Sequence, residues 1–139
     1  MEYKHSWVYD TEDLIFSKVK ALCIAKLKKK YPKINVTTDG QSNEDAKFPT
    51  VYVQFLGSQE VGKDLSNETI NAINILIQVD IEVSKAQGLV VAREVIDVVT
   101  TAFKGMHFNT TMPTVNFDSE GINRYVMRFD RLIGNGDIL

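Results

Sequence analysis

The sequence predicts an α+β domain, a two-layer sandwich in which two helices cover one face of a mixed, mostly antiparallel sheet. Two segments carry apolar residues at helical spacing, and five shorter segments are typical of strands. Most of these strands follow one another directly, which favours hairpins. The chain has 139 residues, 44% of them hydrophobic, and no linker-like segment, so we expect a single domain with the order α-β-β-β-α-β-β.

The first helix is predicted from Asp10 to Tyr31. Asp10 or Thr11 can accept hydrogen bonds from the free N–H groups of the first turn. Pro32 ends the helix, because the residue before a proline avoids helical backbone angles. Apolar residues recur at helical spacing, and lysines occupy many remaining positions, namely Lys18, Lys20, Lys26, Lys28, Lys29 and Lys30.

Two strands are predicted after this helix. A short one lies between Lys33 and Val36, and the polar segment from Thr37 to Lys47 is predicted to be an exposed loop. The second runs from Thr50 to Leu56 with alternating apolar and polar residues, and Gly57 is expected to end it.

The middle of the chain carries the clearest pattern. The polar segment from Ser58 to Asn71 predicts a hairpin tip or a flexible loop. Ala72 to Val83 then alternates strictly, so that its isoleucines and valines share one face of a strand. Ser84 and Gln87 form a capping-box pattern that opens a second helix, which extends to about Lys104.

The second helix has little polar surface, so we expect neighbouring elements to cover it on two sides. A loop from His107 to Met112 follows. A strand from Thr114 to Phe117, the turn Asp118–Gly121 and a longer strand from Ile122 to Ile133 then predict a hairpin. In the last strand Tyr125, Met127 and Phe129 should face the core.

The predicted outer sheet face combines apolar and charged residues. Its apolar members are Tyr52, Leu56, Leu76, Val126 and Leu132. One layer of two helices cannot cover both this face and the apolar second helix. Because exposed apolar surface rimmed by charge is typical of protein interfaces, the sequence predicts self-association or docking.

Paired carboxylates support a different hypothesis. Asp80 and Glu82 lie two residues apart on one strand face, a spacing that suits acid–base chemistry or a hard metal ion. A solvated sheet face or a subunit contact explains them more simply, since Arg124 and Arg128 can face them from another strand.

The two histidines, His5 in the N-terminal tail and His107 in a loop, are expected to be ordinary surface or partly buried residues. Cys23 lies within an apolar helical stripe, which is typical of a buried thiol. No phosphate-loop motif occurs in the sequence. An alternative hypothesis is a small-molecule-binding or enzymatic domain with a pocket between sheet and helices. It would use Asp80, Glu82 or His107.

The overall charge excludes a strong general attraction for nucleic acid. The chain has 16 basic and 18 acidic residues, so any such role needs a local patch. The lysines from Lys18 to Lys33 can contact phosphates without reading sequence, although a solvated helix face explains them more simply.

No apolar run has the length of a membrane span or an export signal, so we expect neither a membrane span nor export by that signal.

Several strings of residues resemble one protein family. They are Tyr31-Pro32, the strand opening Phe48–Val53, the long strand Ile73–Val83 that leads directly into a helix, and Arg124–Phe129 in the last hairpin. This succession resembles the tail terminator, or tail completion, proteins of long-tailed bacteriophages, which are also described as minor capsid or head–tail joining proteins. The resemblance covers most of the chain.

The resemblance implies a structural protein without enzymatic activity or cofactors. Members form hexameric rings that cap the tail tube, stop its polymerisation and offer a surface for head attachment. The implied partners are further copies of the chain, the tail tube protein and head–tail connector proteins. The implied location is the head–tail junction of the virion, after assembly in the host cytoplasm, and a position on the head side of the neck stays open.

A closed ring needs two different complementary patches on each subunit. The segment Ser58–Asn71 is a candidate for contact with the tube or a neighbour, and basic side chains in the lumen would meet passing DNA without reading its sequence. The predicted interface residues are Tyr52, Leu56, Gly62, Lys63, Asp64, Leu76, Asp80, Glu82, Arg124, Val126 and Arg128.

Overall fold

Two helices and six strands make up the fold in a computed structural model, which describes residues 4–40, 47–62, 68–112, 116–119 and 121–139. Of residues 116–119 only the backbone is described. The elements are α1 (Ser6–Leu27), β1 (Asn35–Thr37), β2 (Thr50–Glu60), β3 (Ala72–Ser84), α2 (Gly88–Gly105), β4 (Asn109–Thr111), β5 (Asn116–Ser119) and β6 (Ile122–Gly134). The predicted α+β class is confirmed, and both helices lie against the sheet.

The strands form one mixed sheet in the order β1-β2-β3-β6-β4, with β5 also paired to β6. β1 runs parallel to β2, and all other pairs are antiparallel. β3 and β6 pair along their whole length, from Ala72 opposite Gly134 to Ser84 opposite Ile122. These two strands therefore form the centre of the sheet. The predicted hairpin of β5 and β6 is confirmed, although β5 extends to Ser119 and so includes the first two residues of the predicted turn. Residues 114 and 115 of the predicted first strand lie outside the described residues.

The hydrophobic core lies between the sheet and the two helices. Every isoleucine and valine of β3 is buried, and so are the predicted inward residues of β6, Tyr125, Met127 and Phe129. The ring of Phe103 on α2 stacks on Phe129 with centroids 4.0 Å apart. Since α2 also packs against α1, the two helices share one face of the sheet.

The first helix differs from its prediction at both ends. It begins at Ser6, one turn before Asp10, and it ends at Leu27. The predicted cap at Asp10 or Thr11 is wrong, because both residues lie inside the helix. The Thr11 hydroxyl donates to the carbonyl of Trp7 at 2.7 Å. The indole Nε1 of Trp7 donates to the carbonyl of Ile70 at 3.2 Å. This long-range contact stabilises a helical turn that local capping signals do not predict.

The reciprocal hydrogen bonds of the predicted capping box are present, but they close the turn before α2 and do not cap the helix, which begins at Gly88. The backbone N–H of Gln87 donates to the hydroxyl of Ser84 at 3.3 Å, and the N–H of Ser84 donates to the Gln87 side chain at 3.2 Å. α2 packs against both α1 and β3, as expected for an apolar helix. Leu89 and Val90 in its first turn remain exposed, with 45% and 79% of their surface accessible.

Two strand predictions need correction. β2 does not end at Gly57, because the register shifts between Phe55 and Gly57 and pairing with β3 continues to Glu60. Leu56 is thus the extra residue of a β-bulge. The segment from His107 to Met112, predicted as a loop, contains β4, which pairs with β6 through polar residues that carry no alternation signal.

Candidate interaction surface

The outer face of the sheet, defined here as the face opposite the helices, aligns its side chains in rows across β2, β3 and β6. Strand register fixes these rows, because residues opposite one another in antiparallel strands point to the same side. The rows are Tyr52–Asp80–Val126, Gln54–Gln78–Arg128, Gly57–Leu76–Asp130 and Gln59–Asn74–Leu132. In the described part of the chain, both helices pack on the other face.

One end of the outer face is apolar. Leu56 and Leu132 have 46% and 56% of their surface exposed, and Leu76 lies half-buried between their rows. A groove of about 400 Å³ runs beside them and is lined by Leu56, Gly57, Ser58, Gln59, Asn74 and Leu76. A Cβ atom built on Gly57 would meet no other atom within 4 Å, so the groove is open at the bulge. This end can accept an apolar group from another molecule.

The other end of the outer face holds a buried carboxylate. Asp80 is only 4% exposed, and the Gln78 side-chain amide donates to its Oδ1 at 3.1 Å. The Arg124 Nη1 lies 4.0 Å from its Oδ2. Because Arg124 is half exposed, this ion pair stabilises the fold by less than about 1 kcal/mol. Asp80 is therefore held by neighbours on its own sheet.

The two predicted arginines have different neighbours. Arg124 lies opposite Glu82 and close to Asp80, so the predicted pairing with carboxylates is present for this residue. Arg128 lies opposite Gln78 instead. The sheet register puts Arg128 in a row without a carboxylate on β3.

Gly62, two residues beyond the end of β2, is the first of three predicted interface residues in the connection to β3. Gly62 is exposed and has a φ of 70°, a left-handed conformation that favours glycine. The predicted interface residues Lys63 and Asp64 lie outside the described residues.

The candidate catalytic residues do not converge. His107 is exposed on the turn after α2, whereas the oxygens of Asp80 contact Gln78 and Arg124 on the outer face. His5 is half-buried, in agreement with the prediction of a surface or partly buried residue, but it lies at the start of α1 and not in a tail. Its Nε2 has no hydrogen-bond partner among the described residues. Cys23 is buried, and burial raises the pKa of its thiol to about 12.

Metal binding and membrane insertion find no support in the described ranges. There, no group of three or more His, Cys, Asp or Glu side chains is placed to hold a metal ion. No helix of this part of the chain has the length and apolar character needed to cross a bilayer.

Sequence reasoning missed two features of the outer face. Gln54 and Gln78 are opposite one another beside Asp80, and the Gln54 amide nitrogen is buried without a partner among the described residues. Alternation places both glutamines on this face but gives no reason to single them out. The bulge at Leu56 did have a signal, because a glycine inside a strand pattern often marks one.

Comparison with known proteins does not assign the chain to a family. No protein-family model matches it, and no curated protein shows significant similarity.

Proposed function

We propose that this protein is a structural subunit that works by assembling with other proteins, specifically a tail terminator of a long-tailed bacteriophage. In this role six copies form a ring that caps the tail tube, ends its polymerisation and provides the surface to which the head attaches. The strings at Phe48–Val53, Ile73–Val83 and Arg124–Phe129, which resemble that family, motivate the specific identity.

One observation carries the proposal of assembly, namely the exposed leucines at the apolar end of the outer face. Leu56 and Leu132 are about half accessible beside an open groove. Full burial of a leucine side chain contributes roughly 1.5–3 kcal/mol, so covering the exposed half of each contributes about 1 kcal/mol. The neighbouring charges on Asp130 and Arg128 give such a contact a defined register.

A ring also requires a second, different patch on each subunit. The exposed pair Leu89 and Val90 on α2 is the best candidate, because it is apolar and lies on the helix layer. In the proposed ring, the outer face of one subunit contacts the first turn of α2 in the next. Each subunit then uses both patches, and the arrangement closes on itself.

Variants that disable one patch at a time test this arrangement. Leu132→Glu and Val90→Glu should each reduce self-association, and Ile24→Glu, which changes another exposed apolar residue on α1, should not. Mixing the first two variants leaves one intact pair of patches, so the mixture should form dimers. Light scattering on each variant and on the mixture measures the masses.

The outcome separates the two kinds of interface. If the outer face paired with itself, Val90→Glu alone would still form dimers through its intact outer faces, and adding Leu132→Glu would produce no further dimer. Equal self-association by all three variants would mean that neither the outer face nor α2 forms the contact.

The tail role itself needs a separate test. Substoichiometric protein added to polymerising tail tubes should stop their elongation, and unchanged tube lengths would contradict the terminator function.

A further inference from the structure

A second feature of the surface is a lysine groove between the end of α1 and the edge strand β1. The groove has a volume of about 420 Å³ and is lined by Lys28, Pro32, Lys33, Ile34, Asn35 and Lys47. Its three lysines are exposed, and no acidic residue lines it in the described part of the chain. None of the predicted interface residues lines the groove, so it is a separate site.

The three lysines come from two connections of the fold. Lys28 follows the last turn of α1, Lys33 follows Pro32 in the connection to β1, and Lys47 precedes β2. Cations at a helix C-terminus are common because they offset the helix dipole, and this explains Lys28. It does not explain Lys33 and Lys47, which lie outside the helix. The fold therefore brings Lys47, which precedes β2, beside two lysines from the connection between α1 and β1.

Acidic side chains among the described residues do not neutralise all the lysines at this end of α1. Lys30, at the same end of α1, forms an ion pair with Glu94 at 3.0 Å. Lys28 and Lys33 have no ion-pair partner among the described residues. Lys26 and Lys29 add further exposed positive charge beside the groove. The protein carries a net charge of −2, so this concentration of cations is a local exception.

We propose that the lysine groove binds a phosphate group, with Lys28, Lys33 and Lys47 supplying the positive charge and the Asn35 amide a hydrogen bond. Lysine ammonium groups bind phosphate as point charges and need no fixed planar geometry. The phosphate can belong to a nucleic-acid backbone or to a free phosphate ion. The groove lies within one chain, so this inference does not depend on ring formation.

Two probes distinguish the sources of phosphate. Sodium phosphate is titrated into ¹⁵N-labelled protein, with sodium chloride at equal ionic strength as reference, and the amides of Lys33 and Asn35 are followed by NMR. A fluorescent single-stranded oligonucleotide of about 20 nucleotides is titrated separately, at about 50 and 200 mM salt. Phosphate-specific shifts without oligonucleotide binding indicate a free-phosphate site. Binding of the oligonucleotide that displaces phosphate indicates the nucleic-acid backbone.

The variants make the test specific to this groove. Lys28→Gln with Lys33→Gln should weaken binding of the responding probe on the order of tenfold and, for the oligonucleotide, lower the salt dependence by the equivalent of about two phosphate contacts. Lys28→Arg with Lys33→Arg should retain binding. Lys18→Gln with Lys20→Gln removes the same charge from the middle of α1 and should change affinity by less than about twofold.

Two results would overturn the inference. One is the absence of any response of Lys33 and Asn35 to phosphate beyond that to chloride, together with no oligonucleotide binding. The other is an equal loss of affinity in the groove variant and the Lys18/Lys20 control, which would indicate diffuse attraction to the whole lysine-rich helix. Thermal unfolding of each variant checks that the fold is retained.

Discussion

Among single residues, Asp80 combines a buried carboxylate with a position on the sheet face opposite the helices. Alternation along β3 predicts that it points outward, and it does. Its burial follows from neighbours that only the strand register brings close, namely Gln78 on its own strand, Arg124 on β6 and Tyr52 on β2. The alternation within β3 predicts the direction of the Asp80 side chain. The environment of that side chain depends on the pairing of β2, β3 and β6.

Cys23 provides a test of burial at the residue scale. Because burial raises the pKa of its thiol to about 12, the thiol stays protonated at pH 8 and should not react with a thiol reagent in the folded protein. The reaction should become complete in denaturant, and it is followed by absorbance. Rapid labelling of the native protein would contradict the burial of this side chain.

The same shift predicts how stability depends on alkaline pH. The folded pKa of Cys23 lies above the unfolded value of 9.0. The contribution of the protonated thiol to the free energy of unfolding is therefore fully present below pH 9 and is lost as the pH rises towards 12. Cys23→Ala should show a smaller decrease in unfolding free energy between pH 8 and pH 10 than the wild type. Denaturant unfolding at both pH values measures the difference.

A second residue-scale test concerns the contact between the end of α1 and α2. The Tyr31 hydroxyl donates to Glu94 at 2.7 Å, and this bond, followed by that from Lys30, lowers the pKa of the Glu94 carboxyl. The stabilisation is therefore present above the unfolded pKa of Glu94 and is lost as the pH falls through the lower, folded value.

Tyr31→Phe should accordingly destabilise the protein by less than about 1 kcal/mol at pH 7, since the contact is close to solvent. At pH 3 the difference from wild type should shrink. Urea unfolding at both pH values provides the measurement, with Tyr9→Phe, which alters an exposed tyrosine, as the control. A larger difference at pH 3 than at pH 7 would contradict the assigned role of the Glu94 charge.

For whole elements, predictability follows the source of the stabilising contacts. β3 and β6 were predicted nearly to their ends, because their alternation reflects burial of one face against the helices. β4 was missed because Asn109–Thr111 is polar and becomes a strand only by pairing with β6. The start of α1 was misplaced because it depends on Trp7 reaching Ile70, a contact between distant parts of the sequence.

This explanation of α1 predicts the effect of Trp7→Phe. The phenylalanine keeps a ring against the core but removes the indole donor to the Ile70 carbonyl. The loss should cost about 1 kcal/mol and increase amide hydrogen exchange in the first turn of α1. Exchange near Cys23 should stay unchanged, because that part of the helix is buried. Uniformly faster exchange along α1 would mean that the whole helix depends on this bond.

At the scale of the whole molecule, the described residues present three distinct surfaces, which are the apolar end of the outer face, the first turn of α2 and the lysine groove. Sequence patterns predicted an exposed apolar sheet face, because alternation assigns Leu56 and Leu132 to it. They did not predict the lysine groove, because Lys47 joins Lys28 and Lys33 only through the tertiary fold. A surface built from residues that are distant in sequence, as in the lysine groove, cannot be predicted from local sequence patterns.

The central claim is that the outer face serves assembly. Its most direct test is the solution mass of the purified protein, measured by light scattering over a wide concentration range and at two salt concentrations. With assembly through a closed ring, the mass should approach six times the chain mass of 15.7 kDa as the concentration rises. A mass of 15.7 kDa at every concentration and both salt levels would contradict the claim.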